Sequence, residues 1–313
     1  MCFAHALARQ CLPRYSCKFS RHDYTRAQLF ACLVVREHQN KSYRGVEALL
    51  RDCPHWCRGI GMKRVPDHNT LWRAFAALLG ETQVGRLMDR LTRWMQLLKA
   101  LGETCAIDST IDDTHHRSRH YEHRCRHHAA KDKISVNRRR SATARRLPKL
   151  SLCVDVASHV ILAAAARVGV CSDQRDWPPL LAASVRRVGP QQQLRTALGD
   201  AGFDSHRNHA VAREQLGVRS LIKLSRPRPG DGPPTSRYRL LMGKTLSGSQ
   251  KGKPYGQRAQ AETVNSMMKR NLGPHLRART VQGRKKEQML RVLTHNLMLF
   301  LSRTDGEKDH AED

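Results

Sequence analysis

Apolar side chains recur at helical spacing through residues 25–101. Leu29, Phe30, Leu33 and Val34 form one stripe, and Tyr43, Val46, Leu49 and Leu50 form the next, as expected of amphipathic helices with one face turned to a core. The stretch Pro66–Thr70 supplies several N-cap candidates ahead of Leu71, Trp72, Phe75, Leu78 and Leu79. Gly80 ends that helix, and Val84, Leu87, Met88, Leu91, Met95 and Leu98 line another. Short helices joined by tight turns predict a small all-α domain. One arrangement that suits them is helix-turn-helix, with one helix reading DNA; the other is a packing domain that touches no base.

The periodicity changes after Gly102. Cys105–Asp108 reads as a short buried strand ending in a carboxylate, and Leu150–Val156 with Val160–Val168 reads as a hairpin turning at 157–159. Trp177–Val188 is a predicted helix whose first turn tolerates Pro178 and Pro179. Leu194–Leu198 is a strand, His206–Leu216 a helix and Arg219–Leu224 a strand. A Pro/Gly/Ser-rich connection over 225–254 leads to two closing helices, near 255–272 and 285–302. Strands followed by strand–helix alternation predict an α/β domain with a mixed sheet.

Charge sharpens this picture. The 313 residues include 56 Lys and Arg against 27 Asp and Glu, a formal net charge of +29. Such an excess calls for a polyanionic partner, nucleic acid above all. The polar segment His115–Lys149 concentrates it, with six histidines and twelve Lys or Arg opposed by Glu122 and Asp132 alone. Its histidines are too irregularly spaced to outline a metal site, whereas a basic loop that neutralises phosphates, Arg138, Arg139 and Arg140 among its residues, fits the composition; a solvated loop is the plainer alternative. No apolar run is long enough to span a bilayer, and Met1–Arg9 lacks the core of a secretory leader. The ten cysteines follow no disulfide framework and read as reduced thiols. A cytoplasmic protein associated with the nucleoid is expected.

Two tempting motifs fail. Gly243-Lys244-Thr245 lacks the leading glycine of a phosphate-binding loop, since position 238 is Tyr. Cys53 and Cys57, even with Cys11 and Cys17, match no common zinc-finger spacing.

The helix beginning near Tyr255 carries the chemistry. At about 100° per residue, Tyr255, Arg258, Glu262 and Lys269 fall in a sector roughly 60° wide, with Val264, Met267, Met268 and Leu272 on the other side. On its own this is an exposed face with one i, i+4 ion pair. Asp108 and Asp200, each placed by prediction at a strand end, change its meaning. Two aspartates and a glutamate can converge on hard divalent cations, which prefer oxygen ligands and serve phosphodiester displacement. Arg258 and Lys269 would then hold DNA phosphates.

Tyr255-x2-Arg258-x3-Glu262-x6-Lys269 resembles the Y-(2)-R-(3)-E-(6)-K signature of DDE transposases of bacterial insertion sequences. Ala106–Thr110 and Leu198–Ser205 resemble the segments carrying that family's two aspartates, and Pro148–Asp155 resembles the start of its second strand. The resemblance covers about 103–302 and, more loosely, 42–75. It implies a ribonuclease H-like mixed sheet flanked by helices, preceded by the small all-α domain. It also implies a transposase that cleaves DNA at element ends and joins them to target DNA. The implied cofactor is two Mg²⁺ ions, with Mn²⁺ as substitute, held by catalytic Asp108, Asp200 and Glu262. Tyr255, Arg258 and Lys269 are the implied DNA-positioning residues, and double-stranded DNA bound by a homodimer or higher oligomer is the implied partner. Phe203 stands where the family commonly has Tyr, and the 61 residues between Asp200 and Glu262 leave little room for a large insertion domain.

The expected organisation is therefore an extension at 1–24, a DNA-binding helical domain at 25–101, a catalytic domain at 103–302 with the basic loop 115–149, and an acidic tail at 303–313. The competing reading is a DNA-binding protein that recognises element ends without cutting them. Asp112, Asp113, Asp155 and Asp204 rank below the three carboxylates as site candidates.

Overall fold

A computed structural model describes residues 1–116, 147–169, 171–190, 192–225, 235–247 and 254–309, together with residues 120, 123, 124 and 127. The chain forms two compact units, Met1–Lys99 with Met268–Asp313, and Ala100–Met267.

The first unit holds α1 (Cys2–Cys11), α2 (Arg26–His38), α3 (Tyr43–Asp52), α4 (Pro54–Gly59), α5 (His68–Leu78) and α6 (Glu81–Leu97). The stretch expected to be a plain N-terminal extension thus contains a helix. Ala4, Leu7 and Ala8 are buried on one side of it, and Arg9, which interrupts the apolar run, lies on the exposed side. The caps follow local chemistry: Thr25 and Gln28 exchange side-chain bonds with each other's backbone N–H in a capping box, and Asp67 accepts from Asn69 and Thr70. A buried ionic group ties α2 to the C-terminal helix α11 (Val281–Asp309). Arg291 donates Nε to Glu37 at 3.0 Å, and its other arm reaches the carbonyls of Leu272 and His275 at 3.0 and 2.9 Å. Those carbonyls lie at or just beyond a helix end, where intrahelical donors have run out. Because α11 continues to Asp309, residues 303–309 are helical.

The second unit is built on five strands: β1 (Thr104–Ile111), β2 (Pro148–Asp155), β3 (Ile161–Val168), β4 (Thr196–Gly199) and β5 (Arg219–Ile222). Their order is β3-β2-β1-β4-β5. The first three pair antiparallel, while β1, β4 and β5 run parallel, giving the mixed α/β sheet that the strand–helix alternation predicts. Every residue of β2 is buried, as expected of an inner strand covered on both faces. Asp155 closes the β2–β3 turn, accepting from the backbone and hydroxyl of Ser158 and from the Gly102 N–H. α7 (Trp177–Val188) lies against β3. The predicted helix after β4 begins as α8 (His206–Ala210) and loosens into a π turn at Val211–Gln215. The Pro/Gly/Ser-rich connection contains a helix, α9 (Arg237–Thr245), which takes up Gly243-Lys244-Thr245. Arg239 on α9 grips Asp204, so that carboxylate is structural.

Candidate active site

Asp108 is inside β1 rather than at its end: the antiparallel pairing runs past it, with Asp108 opposite Leu152 and Ile111 opposite Lys149. On the other side of β1 the parallel pairing stops at Ile107 opposite Gly199. Asp108 and Asp200 are therefore the next residues along two neighbouring parallel strands, which stand about 4.8 Å apart. This is the carboxyl end of a parallel pair, where open α/β sheets place ligands.

Local sequence explains why β4 ends there. Asp200 starts a 3₁₀ turn at Ala201–Phe203, and its Oδ1 accepts the Gly202 N–H at 2.9 Å. Gly199 is required by its neighbour: a Cβ at this position would stand 2.5 Å from Cζ3 of the fully buried Trp177. Phe203 fills the space beside that indole, ring centroids 5.7 Å apart, so an apolar ring at position 203 serves packing.

Tyr255 and Arg258 lie in a 3₁₀ turn, Pro254–Arg258, that leads into α10 (Ala259–Leu272). An uninterrupted α-helical projection from Tyr255 therefore does not hold. Its ring is buried and its hydroxyl donates to the Gly199 carbonyl at 3.1 Å. It braces the strand end that carries Asp200. Burial pushes its phenol above the ordinary value. Arg258 and Glu262 form the expected i, i+4 ion pair at 2.5 Å, Glu262 being more than half exposed. Lys269 lies further along α10, in the part that belongs to the first unit. Arg138, Arg139 and Arg140 lie outside the described residues.

The buried stripe of α10 is Ala261, Val264, Asn265, Met268 and Leu272; Met267, assigned by spacing to the core side, is only partly covered. Asn265 is the residue that sequence reasoning missed. Its Nδ2 donates to Asp108 Oδ2 at 3.1 Å. The signal was a polar amide at a core position, three residues after Glu262.

The acids act on one another. Burial foremost, then the charges of Asp200 and Glu262, push the Asp108 carboxyl above its ordinary value; a bond from the Ser109 N–H and the charge of Arg258 oppose them. Among the described residues no three His, Cys, Asp or Glu side chains form a group that could hold a metal ion as they stand, and Glu262 is engaged by Arg258. The donor set nevertheless suits a hard cation. It is all carboxylate oxygen, and Asp108 is a partly buried acid raised by two neighbouring acids, which a divalent ion would relieve. Asp108 and Asp200 are the pair that could share it, with Glu262 joining once turned from Arg258. Among the described residues no helix is long and apolar enough to cross a membrane.

A mixed α/β sheet with aspartates at the close of adjacent parallel strands, met by a glutamate on α10 and an arginine in the turn before it, defines the class as an α/β protein that gathers carboxylates at the carboxyl end of a parallel pair. Comparison with protein families makes the assignment definite. The transposase DDE domain matches residues 99–297, and a transposase domain (DUF772) matches residues 4–77. The chain belongs to the DDE transposase family of insertion sequences. A comparison with curated proteins finds no match.

Proposed function

We propose that the chain cleaves DNA at the ends of an insertion sequence and transfers the freed 3′ ends into target DNA. The observation that carries this reading is the placement of Asp108 and Asp200 one step beyond the last parallel pair, Ile107 opposite Gly199, with Arg258 and Glu262 close enough to bear on the Asp108 charge. We read the sheet as ribonuclease H-like, supported by three antiparallel strands continued by two parallel ones in the order β3-β2-β1-β4-β5. Asp108, Asp200 and Glu262 would hold Mg²⁺, two ions in the full site with Mn²⁺ as substitute, which when bound promote attack on a phosphodiester and stabilise the leaving oxygen. Arg258 offers a planar fork for a phosphate oxygen pair; drawing it to DNA would release Glu262 to the other two acids. Lys269 adds a point charge to the same helix. Tyr255 works through the backbone by fixing Gly199 and hence Asp200. In the first step water forms the new P–O bond as the bond to the 3′ oxygen breaks. In the second that 3′ hydroxyl attacks a target phosphodiester, forming a new P–O bond as the bond to the target's own 3′ oxygen breaks and that oxygen leaves as a 3′ hydroxyl.

DNA is also the partner of the helical segment 25–101 and of Arg138, Arg139 and Arg140 in this reading. The net charge of +29 supports it, and assembly of two or more copies on paired ends completes it. The test uses labelled duplexes carrying the element's terminal inverted repeat, incubated with Mg²⁺ and a target plasmid. The wild type should release a 3′ hydroxyl end and join it to the plasmid. Asp108→Ala, Asp200→Ala and Glu262→Ala should bind the duplex without cutting it. Tight, sequence-specific binding by the wild type with no cleavage would make the chain an end-binding protein instead.

A further inference from the structure

Asn265 combines three observations that a packing role does not explain. It occupies a core position on α10, 8% exposed, between Val264 and Met268 on the buried stripe. Its amide nitrogen is 3.1 Å from Asp108 Oδ2, joining the helix that carries Glu262 to the strand that carries Asp108. Its amide oxygen, Oδ1, is buried without a hydrogen-bond partner in the structure. A buried amide oxygen left unpaired is costly, and a leucine of nearly the same shape would avoid that cost. What leucine cannot supply is the N–H facing the carboxylate. The orientation of the amide follows from its partner, because a carboxylate accepts and only the nitrogen can donate.

We infer that Asn265 is a positioning residue of the nuclease site: its amide fixes Asp108 through Oδ2 and leaves the carboxylate's remaining lone pairs to face a divalent cation. A neutral donor suits this task. Lysine or arginine in its place would neutralise Asp108 and compete with the cation, whereas an amide orients the carboxylate and leaves its charge available. Asn265 also sets the spacing between the elements bearing two of the three acids, since one bond spans from α10 to β1. This inference rests on the reading of Asp108 as a ligand.

The experiment measures Mn²⁺ binding to the full-length protein by calorimetry in the absence of DNA, alongside the Mn²⁺ dependence of end cleavage and thermal melting. Four proteins are compared: wild type, Asp108→Ala, Asn265→Leu and Asn265→Ala. The leucine variant keeps the shape and removes the donor; alanine is a strong helix former that guards against misfit of leucine. Loss of an outer partner of a metal ligand typically weakens affinity by about 10- to 100-fold. Both Asn265 variants should show that weakening, melt cooperatively, bind end DNA like the wild type without metal, and recover cleavage as Mn²⁺ is raised. A merely structural role would lower the melting temperature without moving the half-saturating Mn²⁺ concentration. Wild-type Mn²⁺ affinity in a folded Asn265→Leu or Asn265→Ala protein, with Asp108→Ala unable to bind, overturns the role of Asn265 alone. A wild type that neither binds Mn²⁺ nor cuts overturns the nuclease reading and this inference with it.

Discussion

Gly199→Ala puts one methyl group where the fold has no room, next to Asp200, one of the three ligands of the proposed site. The added Cβ would lie 2.5 Å from Trp177 Cζ3, 3.3 Å from Cη2 and 3.4 Å from Cε3. Carbon atoms in contact prefer about 3.5–4.0 Å, so the nearest atom must give way by roughly 1 Å. The indole cannot move freely: Trp177 is fully buried, starts α7 and packs against Phe203. Overpacking of this kind costs about 1–3 kcal/mol, offset by about 0.4–1 kcal/mol from the stiffer unfolded chain. A net loss of about 1–2 kcal/mol corresponds to a melting temperature lower by about 2–8 °C for a domain of this size. The strain falls on the end of β4, and a displacement of Asp200 near 1 Å can slow chemistry by about 100-fold. Differential scanning calorimetry and single-turnover cleavage read the two effects. Trimming the ring in Gly199→Ala/Trp177→Phe should recover at least about 0.5 kcal/mol relative to the sum of the single changes. A Gly199→Ala protein that melts and cuts like the wild type, or a double variant that is simply additive, would refute the steric argument.

Asp108→Asn tests the electrostatic strain in the site. Burial first, with Asp200 and Glu262 adding, raises the folded carboxyl above its ordinary value, so stability falls as pH rises through that folded value. Without metal, the amide variant should melt higher than the wild type at pH 8, the gap should close as pH falls towards about 4, and the variant should cut no DNA; a lower melting temperature at pH 8 would contradict this. Arg258→Ala should slow cleavage by roughly 30- to 1000-fold at saturating DNA, the equivalent of about 2–4 kcal/mol. Arg258→Lys, keeping charge without the fork, should recover part of that rate in single-turnover assays. Replacing Arg138, Arg139 and Arg140 with Gln should flatten the salt dependence of DNA binding by up to about 0.9 per lost phosphate contact; an unchanged slope would remove these three arginines from the DNA contact.

Much of the architecture was legible because burial imposes periodicity. The stripes Tyr43–Leu50 and Val84–Leu98 predict α3 and α6, the second stripe closing on the C-cap Leu98, and the turn at 157–159 predicts the β2–β3 hairpin. What periodicity does not encode is pairing. Asp108 looked terminal because polar Ser109 and Thr110 follow it, yet β1 continues to Ile111 by pairing with β2, and only the parallel side ends at Ile107. Tyr255 fitted a helical face by spacing, but Pro254–Arg258 form a 3₁₀ turn and its hydroxyl goes to a carbonyl 56 residues away in sequence. α9 was hidden by the Pro, Gly and Ser residues around it. Of the proposed ligands, Glu262 was singled out by the Tyr255–Lys269 spacing and Asp108 and Asp200 by predicted strand ends; Asn265 gave no such signal, since its partner is 157 residues distant.

Nicking of a supercoiled plasmid that carries the two element ends tests the central claim most directly, because one break relaxes the circle and is counted on a gel. With Mg²⁺ the wild type should convert supercoiled DNA to open circles broken at the element ends. Chelation of the metal should stop it, and Asp200→Ala should leave the plasmid intact while retarding it as the wild type does. Nicking at the ends by Asp200→Ala at the wild-type rate, or by the wild type in the presence of chelator, would contradict a site built on these carboxylates.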